Sequence, residues 1–193
     1  MTLDDPLARN AAVVMVRDTL DDVPDAALPT GCSVRAFATG DEPVWTAIQA
    51  AADAYNAIGP TRFADSFGTD AAAHRARILF VTDAIGRTVG TAAAWWGVGA
   101  WAGWGRLHWV AVLPDEQGRG IGGALVVAAC RRLRELGHPR ACLTTSAARL
   151  AAIHLYDALG FRPFIAGDDG PVWRAIAAAQ AARGTPLAMV EAR

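Results

Sequence analysis

Gln117-Gly118-Arg119-Gly120-Ile121-Gly122-Gly123 packs four glycines and an arginine into seven residues, directly ahead of a run with helical periodicity. Glycine tolerates positive φ and lets the backbone approach a ligand closely. Successive N–H groups in such a turn form a concave nest, and at a helix N-terminus the dipole adds to its attraction for an anion. Arg119 contributes a full positive charge. A pyrophosphate is the natural guest; a glycine hairpin without a ligand is the structural alternative.

Gly118, Gly120 and Gly123 also fit the letters G-x-G-x-x-G of a dinucleotide site, but the context disagrees. Five residues, Leu113 to Gln117, separate the turn from the preceding strand, and several strands come before it. The following strand ends in Thr144-Thr145, with no acid to hold a ribose.

The elements that must position this turn are legible from spacing. Leu107 to Val112 reads as a strand. After the turn, Leu125, Ala129, Leu133 and Leu136 line one face of a helix that stops at Gly137 and Pro139. Upstream, Ala12–Arg17 and Cys32–Phe37 read as strands. A helix starts at Asp41-Glu42-Pro43 and runs towards Gly59-Pro60. Residues 61–77 are short helical or irregular structure, and Ile78–Thr82 and Thr88–Trp96 are strands. Downstream come a strand Ala141–Thr145, a helix Ala147–Leu159 closed by Gly160, and two closing strands, Phe164-Ile165 and Val172–Ile176. The order β-α-(α)-β-β-β-α-β-α-β-β implies a mixed α/β sheet with helices on both faces. Residues 1–31 read as a lead-in segment, 32–176 as the domain and 177–193 as a tail.

The chain of 193 residues suits one domain, and a net charge of −1 argues against a polyanion such as nucleic acid. The odd cysteine count (Cys32, Cys130, Cys142), without a CxxC or Cys/His cluster, argues against a disulfide framework and a structural metal site. It fits free thiols in a reducing, cytoplasmic setting. No signal peptide is read at the N-terminus. The stretch from Thr88 to Gly105 has the length of a membrane span but holds many Gly and Trp and almost no Leu or Ile. Two strands and a loop describe it better, so no membrane partner is expected.

Val110-Ala111-Val112-Leu113-Pro114-Asp115-Glu116-Gln117-Gly118-Arg119-Gly120-Ile121-Gly122 resembles the signature [Q/R]-x-x-G-x-[G/A] of the GNAT superfamily of N-acetyltransferases, including the strand before it. Ala152-Ile153-His154-Leu155-Tyr156-Asp157-Ala158-Leu159-Gly160-Phe161 is similar to a second family motif, and the spacing between them holds one helix and one strand, as in the family. The resemblance implies a mostly antiparallel sheet of about six or seven strands. It implies acetyl-CoA as cofactor, with the pyrophosphate on the amides of Gln117, Gly118, Arg119, Gly120, Ile121, Gly122 and Gly123. It further implies a β-bulge in the preceding strand and backbone bonds from the Val110, Ala111, Val112 segment to the pantetheine arm. No metal is implied.

By the same resemblance Tyr156 is the general acid for the departing thiolate; a core aromatic is the alternative. The family often has a Glu near the central strand as base. Here His108 is the candidate, in a strand similar to LHALAV of arylalkylamine N-acetyltransferases, with Arg106 where a second histidine falls. An imidazole has a suitable pKa, and alternation puts His108 on the face of Val110 and Val112; a structural histidine is the alternative. Arg149 stands where the family often has a cofactor-contacting Asn, and either meets phosphate or is solvated. For the acceptor, a small-molecule or peptide amine, Tyr55, Phe63, Phe67 and the Trp95–Trp104 loop are candidates; that loop equally suits core packing or an interface. The expected activity is direct acetyl transfer to an amine by a monomer or homodimer. A non-catalytic CoA-binding sensor module is the alternative, motivated by the missing Glu.

Overall fold

The computed structural model describes Leu7 and residues 10–188. Among these residues apolar alternation and turn chemistry produce seven strands: β1 (Ala12–Arg17), β2 (Ser33–Ala36), β3 (Ile78–Thr82), β4 (Thr88–Trp96), β5 (Gly105–Val112), β6 (Ala141–Ser146) and β7 (Arg162–Phe164). They lie in the order β2-β3-β4-β5-β6-β1-β7. Every pairing is antiparallel except β5 with β6. The expected meander is β3-β4-β5. β1, drawn from the segment read as a lead-in, lies inside the sheet between β6 and β7.

Among the described residues six α-helices accompany the strands: α1 (Glu42–Ala52), α2 (Arg62–Phe67), α3 (Ala71–Arg77), α4 (Ile121–Glu135), α5 (Leu150–Ala158) and α6 (Gly170–Ala182). Alternation along β4 separates two apolar clusters. Ala92 and Ala94 join Leu107 and the α4 residues Leu125, Ala129 and Leu133. Ala93 joins Trp45 and Ile48 of α1 and Phe63 and Phe67 of α2. The sheet is thus covered on both faces.

Three expectations are corrected. Val172–Ile176 is not a strand but part of α6. Asp169 precedes it, Pro171 occupies its first turn, and Val172, Trp173, Ile176 and Gln180 are buried at helical spacing. The helix expected to reach Gly59 ends at Ala52, where Asp53 takes over as cap. The one expected from Ala147 begins at Leu150. Among the described residues no helix is long and apolar enough to cross a membrane; the Trp-rich stretch is β4, a turn and the start of β5.

Candidate active site

Two irregularities of β5 create the site. Towards β4, Thr91 pairs with Ala111 but Ala93 pairs with His108, so β5 carries one extra residue. That is a β-bulge, and it sits at Trp109, whose φ is +49°. A non-glycine residue in this region costs about 1–3 kcal/mol and persists only where its surroundings hold it there. The Trp109 ring stands edge-on to buried Trp45, with centroids 5.3 Å apart, and the Trp109 carbonyl accepts a 2.8 Å bond from the buried Gln49 amide of α1.

Towards β6, pairing covers only Gly105 with Ala141 and Arg106 with Cys142. Beyond Arg106 the strands diverge, because β6 follows β1 while β5 stays with β4. The wedge opens a cavity of about 280 Å³ between Arg106–Val110 and Leu143–Ser146, closed by Gln49, Asp53, Asn56, Arg149 and Tyr156. A cleft of about 750 Å³ adjoins it, running from Val110–Val112 over the glycine turn to Tyr55 and the N-terminal part of α5. Val110, Arg149, Ala152 and Tyr156 line both.

The glycine turn has the expected geometry. Gly118 and Gly120 adopt φ of +76° and +86°, and a Cβ on either would stand in open space. The N–H groups of residues 118–123 donate no hydrogen bond among the described residues, although they sit at the N-terminus of the fifteen-residue α4. Gln117 ties the turn to β5 by donating 3.0 Å to the Val112 carbonyl. Ile121 buries its side chain in the core, leaving only its backbone for a ligand. Orphan amides over an open cleft, on glycines that keep it clear, fit the pyrophosphate and arm of acetyl-CoA.

The cations behave differently from the sequence expectation. Arg119 does not line the cleft; its guanidinium pairs with buried Glu116, which also holds Arg87. Arg149 does line it, but donates to both Asp53 carboxylate oxygens at 2.8 Å and to Ser146 Oγ at 3.1 Å. The Asp53 side chain is almost fully buried, which alone would raise its pKa. Hydrogen bonds from Arg149, Asn56 and the Tyr55 amide outweigh that and hold it below the ordinary carboxylate range.

Tyr156 is buried, yet its ring reaches both cavities, and its hydroxyl makes no hydrogen bond among the described residues. Burial pushes its pKa up to about 12, against a small opposing pull from Arg149, so it stays a protonated donor at neutral pH. His108 lines the smaller cavity. Burial, then the nearby Arg106 charge, push its pKa down to about 3, so the expected imidazole titrating near neutrality is not found. Nor does His108 share a face with Val110 and Val112. It meets the Phe67 ring at 5.9 Å, while the two valines pack on the cluster of α4. The bulge shifts the alternation by one residue.

Of the acceptor candidates, Tyr55 lines the large cleft. Phe63 and Phe67 are buried in the aromatic cluster around Trp45. Trp95, Trp96, Trp101 and Trp104 line neither cavity. Instead, Trp95 packs on Phe67, Arg77 covers Trp96 at 3.7 Å and Arg140 covers Trp104 at 4.4 Å. Residues that sequence reasoning passed over include Gln49, Asp53 and Asn56, and Arg183 at the end of α6, an exposed cation on the rim of the large cleft. Nothing local distinguishes them; only an acid at a helix C-cap, Asp53, is out of the ordinary there.

Residues 45–161 match the model of the Acetyltransferase (GNAT) family. The chain belongs to that family. It is 36% identical over 152 residues to a mycothiol acetyltransferase of Pseudarthrobacter chlorophenolicus, covering 72% of this chain and 45% of that protein. It is 33% identical to the mycothiol acetyltransferase of Streptomyces coelicolor, covering 72% of this chain and 46% of that protein. The chain therefore spans about half the length of the curated relatives it matches. Among solved structures, it resembles a GCN5-related N-acetyltransferase from Sphaerobacter thermophilus, with a TM-score of 0.65 and 26% identity, over 79% of this chain and 48% of that one. It also resembles the ribosomal-protein-S18-alanine N-acetyltransferase of Escherichia coli, with a TM-score of 0.55 and 26% identity, over 72% of this chain and 86% of that one. The mostly antiparallel α/β GNAT fold is thus common ground.

Proposed function

We propose that this chain is an acetyl-CoA-dependent N-acetyltransferase that moves an acetyl group directly to an amine. The observation that carries the reading is the convergence on one cleft of Gly118, Gly120, Gly122 and Gly123, whose amides have no partner among the described residues, with the free Tyr156 hydroxyl and the open edge of β5. The name of the curated relatives makes the acceptor of a mycothiol acetyltransferase one amine to test.

When bound, acetyl-CoA supplies the acetyl group as an activated thioester. The amides of residues 118–123 would hold its pyrophosphate, the Gln117 N–H being turned to the Pro114 carbonyl instead, and the backbone of Val110, Ala111 and Val112 would hold the arm. An N–H freed by the bulge is suited to polarise the thioester carbonyl. The amine enters from the smaller cavity, and the shared wall of Val110, Ala152 and Tyr156 brings the two sides together. In a direct transfer the amine nitrogen would form its bond to the acetyl carbon as that carbon's bond to sulfur breaks. Tyr156 would give its proton to the departing sulfur, and the proton lost by the attacking nitrogen would pass to solvent water and from there restore the tyrosine hydroxyl. His108, neutral at working pH, is better suited to accept a hydrogen bond from the amine and orient it than to store its proton.

The test is calorimetric titration of acetyl-CoA into the wild type and Gly120→Glu, followed by thiol release across a panel of amines. Micromolar-range binding lost in the variant, and thiol release with at least one amine, support the reading. Absence of binding to folded wild type overturns it.

A further inference from the structure

Arg106 lines the smaller cavity in the wedge between β5 and β6. It is only partly accessible, and its guanidinium makes no ion pair, hydrogen bond or stacking contact with a ring among the described residues. The cavity's other charged residues, Arg149 and Asp53, neutralise each other through their bidentate pair. Two arginines less one aspartate leave one uncompensated positive charge, and it belongs to Arg106. Taking a guanidinium part-way out of water without a partner is unfavourable. Burial accordingly works against the cation and lowers its pKa. An unanswered charge facing a cavity is the pattern of a ligand site.

We infer that the acceptor amine carries an anionic group, a carboxylate or a phosphate, and that Arg106 receives it in the cavity between β5 and β6. The assignment rests on the N-acetyltransferase reading of the same site. The volume of about 280 Å³ suits a small amino acid or amino phosphate. Thr144 and Ser146 line the same space, and their hydroxyls can donate to the remaining oxygens. Arg106 lies four residues before Val110 on a bulged strand, roughly 10 Å along β5. The anion would therefore bind at the far end of the cavity from the bulge, leaving the amine towards Val110 and Tyr156. The guanidinium fork suits either anion, because it donates two parallel bonds.

The test compares matched acceptors: glycine, β-alanine and γ-aminobutyrate against their carboxamides, and O-phosphoethanolamine against ethanolamine, as kcat/KM for thiol release. A charge-assisted contact of this kind predicts a preference of about 10- to 100-fold for the anionic member. That ratio should collapse towards one in Arg106→Gln and be partly kept in Arg106→Lys, with circular dichroism verifying that both variants fold. Preference for carboxylates or for phosphate distinguishes the two sources. The corresponding N-acetylated products, titrated calorimetrically into wild type and Arg106→Gln, give a second readout without turnover. No anion preference in either readout overturns the inference. Acetyl-CoA binding and thiol release with neutral amines, measured in the same preparation, keep the N-acetyltransferase reading separate.

Discussion

Arg149, at the start of α5, donates to both carboxylate oxygens of Asp53, at the end of α1, with 2.8 Å on each side. The Arg149 guanidinium also lies 5.2 Å from the centre of the Tyr55 ring, and the Tyr55 hydroxyl donates to the Ala148 carbonyl at 3.3 Å. This set of contacts fastens the segment after α1 over the mouth of both cavities.

Asp53→Asn should therefore destabilise the fold by about 1–3 kcal/mol, since it leaves a partly buried guanidinium poorly answered. The effect carries a pH signature. The Asp53 pKa is lowered in the folded chain, so its contribution is present above the unfolded value of roughly 4 and is lost as pH falls through the lower folded one. Urea unfolding of both proteins at neutral and acidic pH should give a gap that narrows below about pH 4. A gap independent of pH would assign the loss to packing. The variant should also raise KM for the acceptor.

Tyr156→Phe keeps the buried ring and removes only the hydroxyl. Turnover should fall by about 10²- to 10⁴-fold, with the Kd for acetyl-CoA changed little. Equal losses in both would remove the general-acid role. With the phenol at about 12, the wild-type profile should show no tyrosine ionisation below pH 10.

His108→Gln separates orientation from proton storage. A group titrating at about 3 is neutral from pH 5 to 9, so the rate profile over that range should keep its shape in the variant while KM for the amine rises. A limb that disappears with the histidine would make it the titrating base after all. Stability offers a second readout. The unfolded imidazole takes a proton below about 6.5 and the folded one only near 3, so wild type should lose stability as pH falls through that window. The variant should lose less.

Gly120→Glu places a charged side chain where φ is +86° and the space is open to the cleft. It should abolish acetyl-CoA binding, and the left-handed backbone adds a cost of about 1–2 kcal/mol. Gly118→Ala, at φ +76°, should show the backbone cost with weaker loss of binding. Calorimetry and thermal unfolding together read both effects.

The sequence by itself determined the glycine turn, the helix it opens, the meander before it and the helix carrying Tyr156. Each rests on local physics: glycine at positive φ, apolar periodicity, caps and breakers within a few residues. The tertiary structure decided the rest. The bulge at Trp109 depends on Trp45 and Gln49 reaching across from α1, and it turned His108 away from the face that strict alternation assigns. Asp53 is 96 residues from Arg149, so no spacing rule announces their pair. Arg119 reads as a free charge beside the glycines until Glu116 is found buried beneath it. The strand reading of Val172–Ile176 failed because a short apolar run fits either period, and the core chose the helical one by burying Trp173 and Ile176. Burial, the bulge and the Asp53–Arg149 pair are settled between distant segments, and even the local Glu116–Arg119 pair depends on Glu116 being buried by the fold; that is why the motif was legible and the state of its side chains was not.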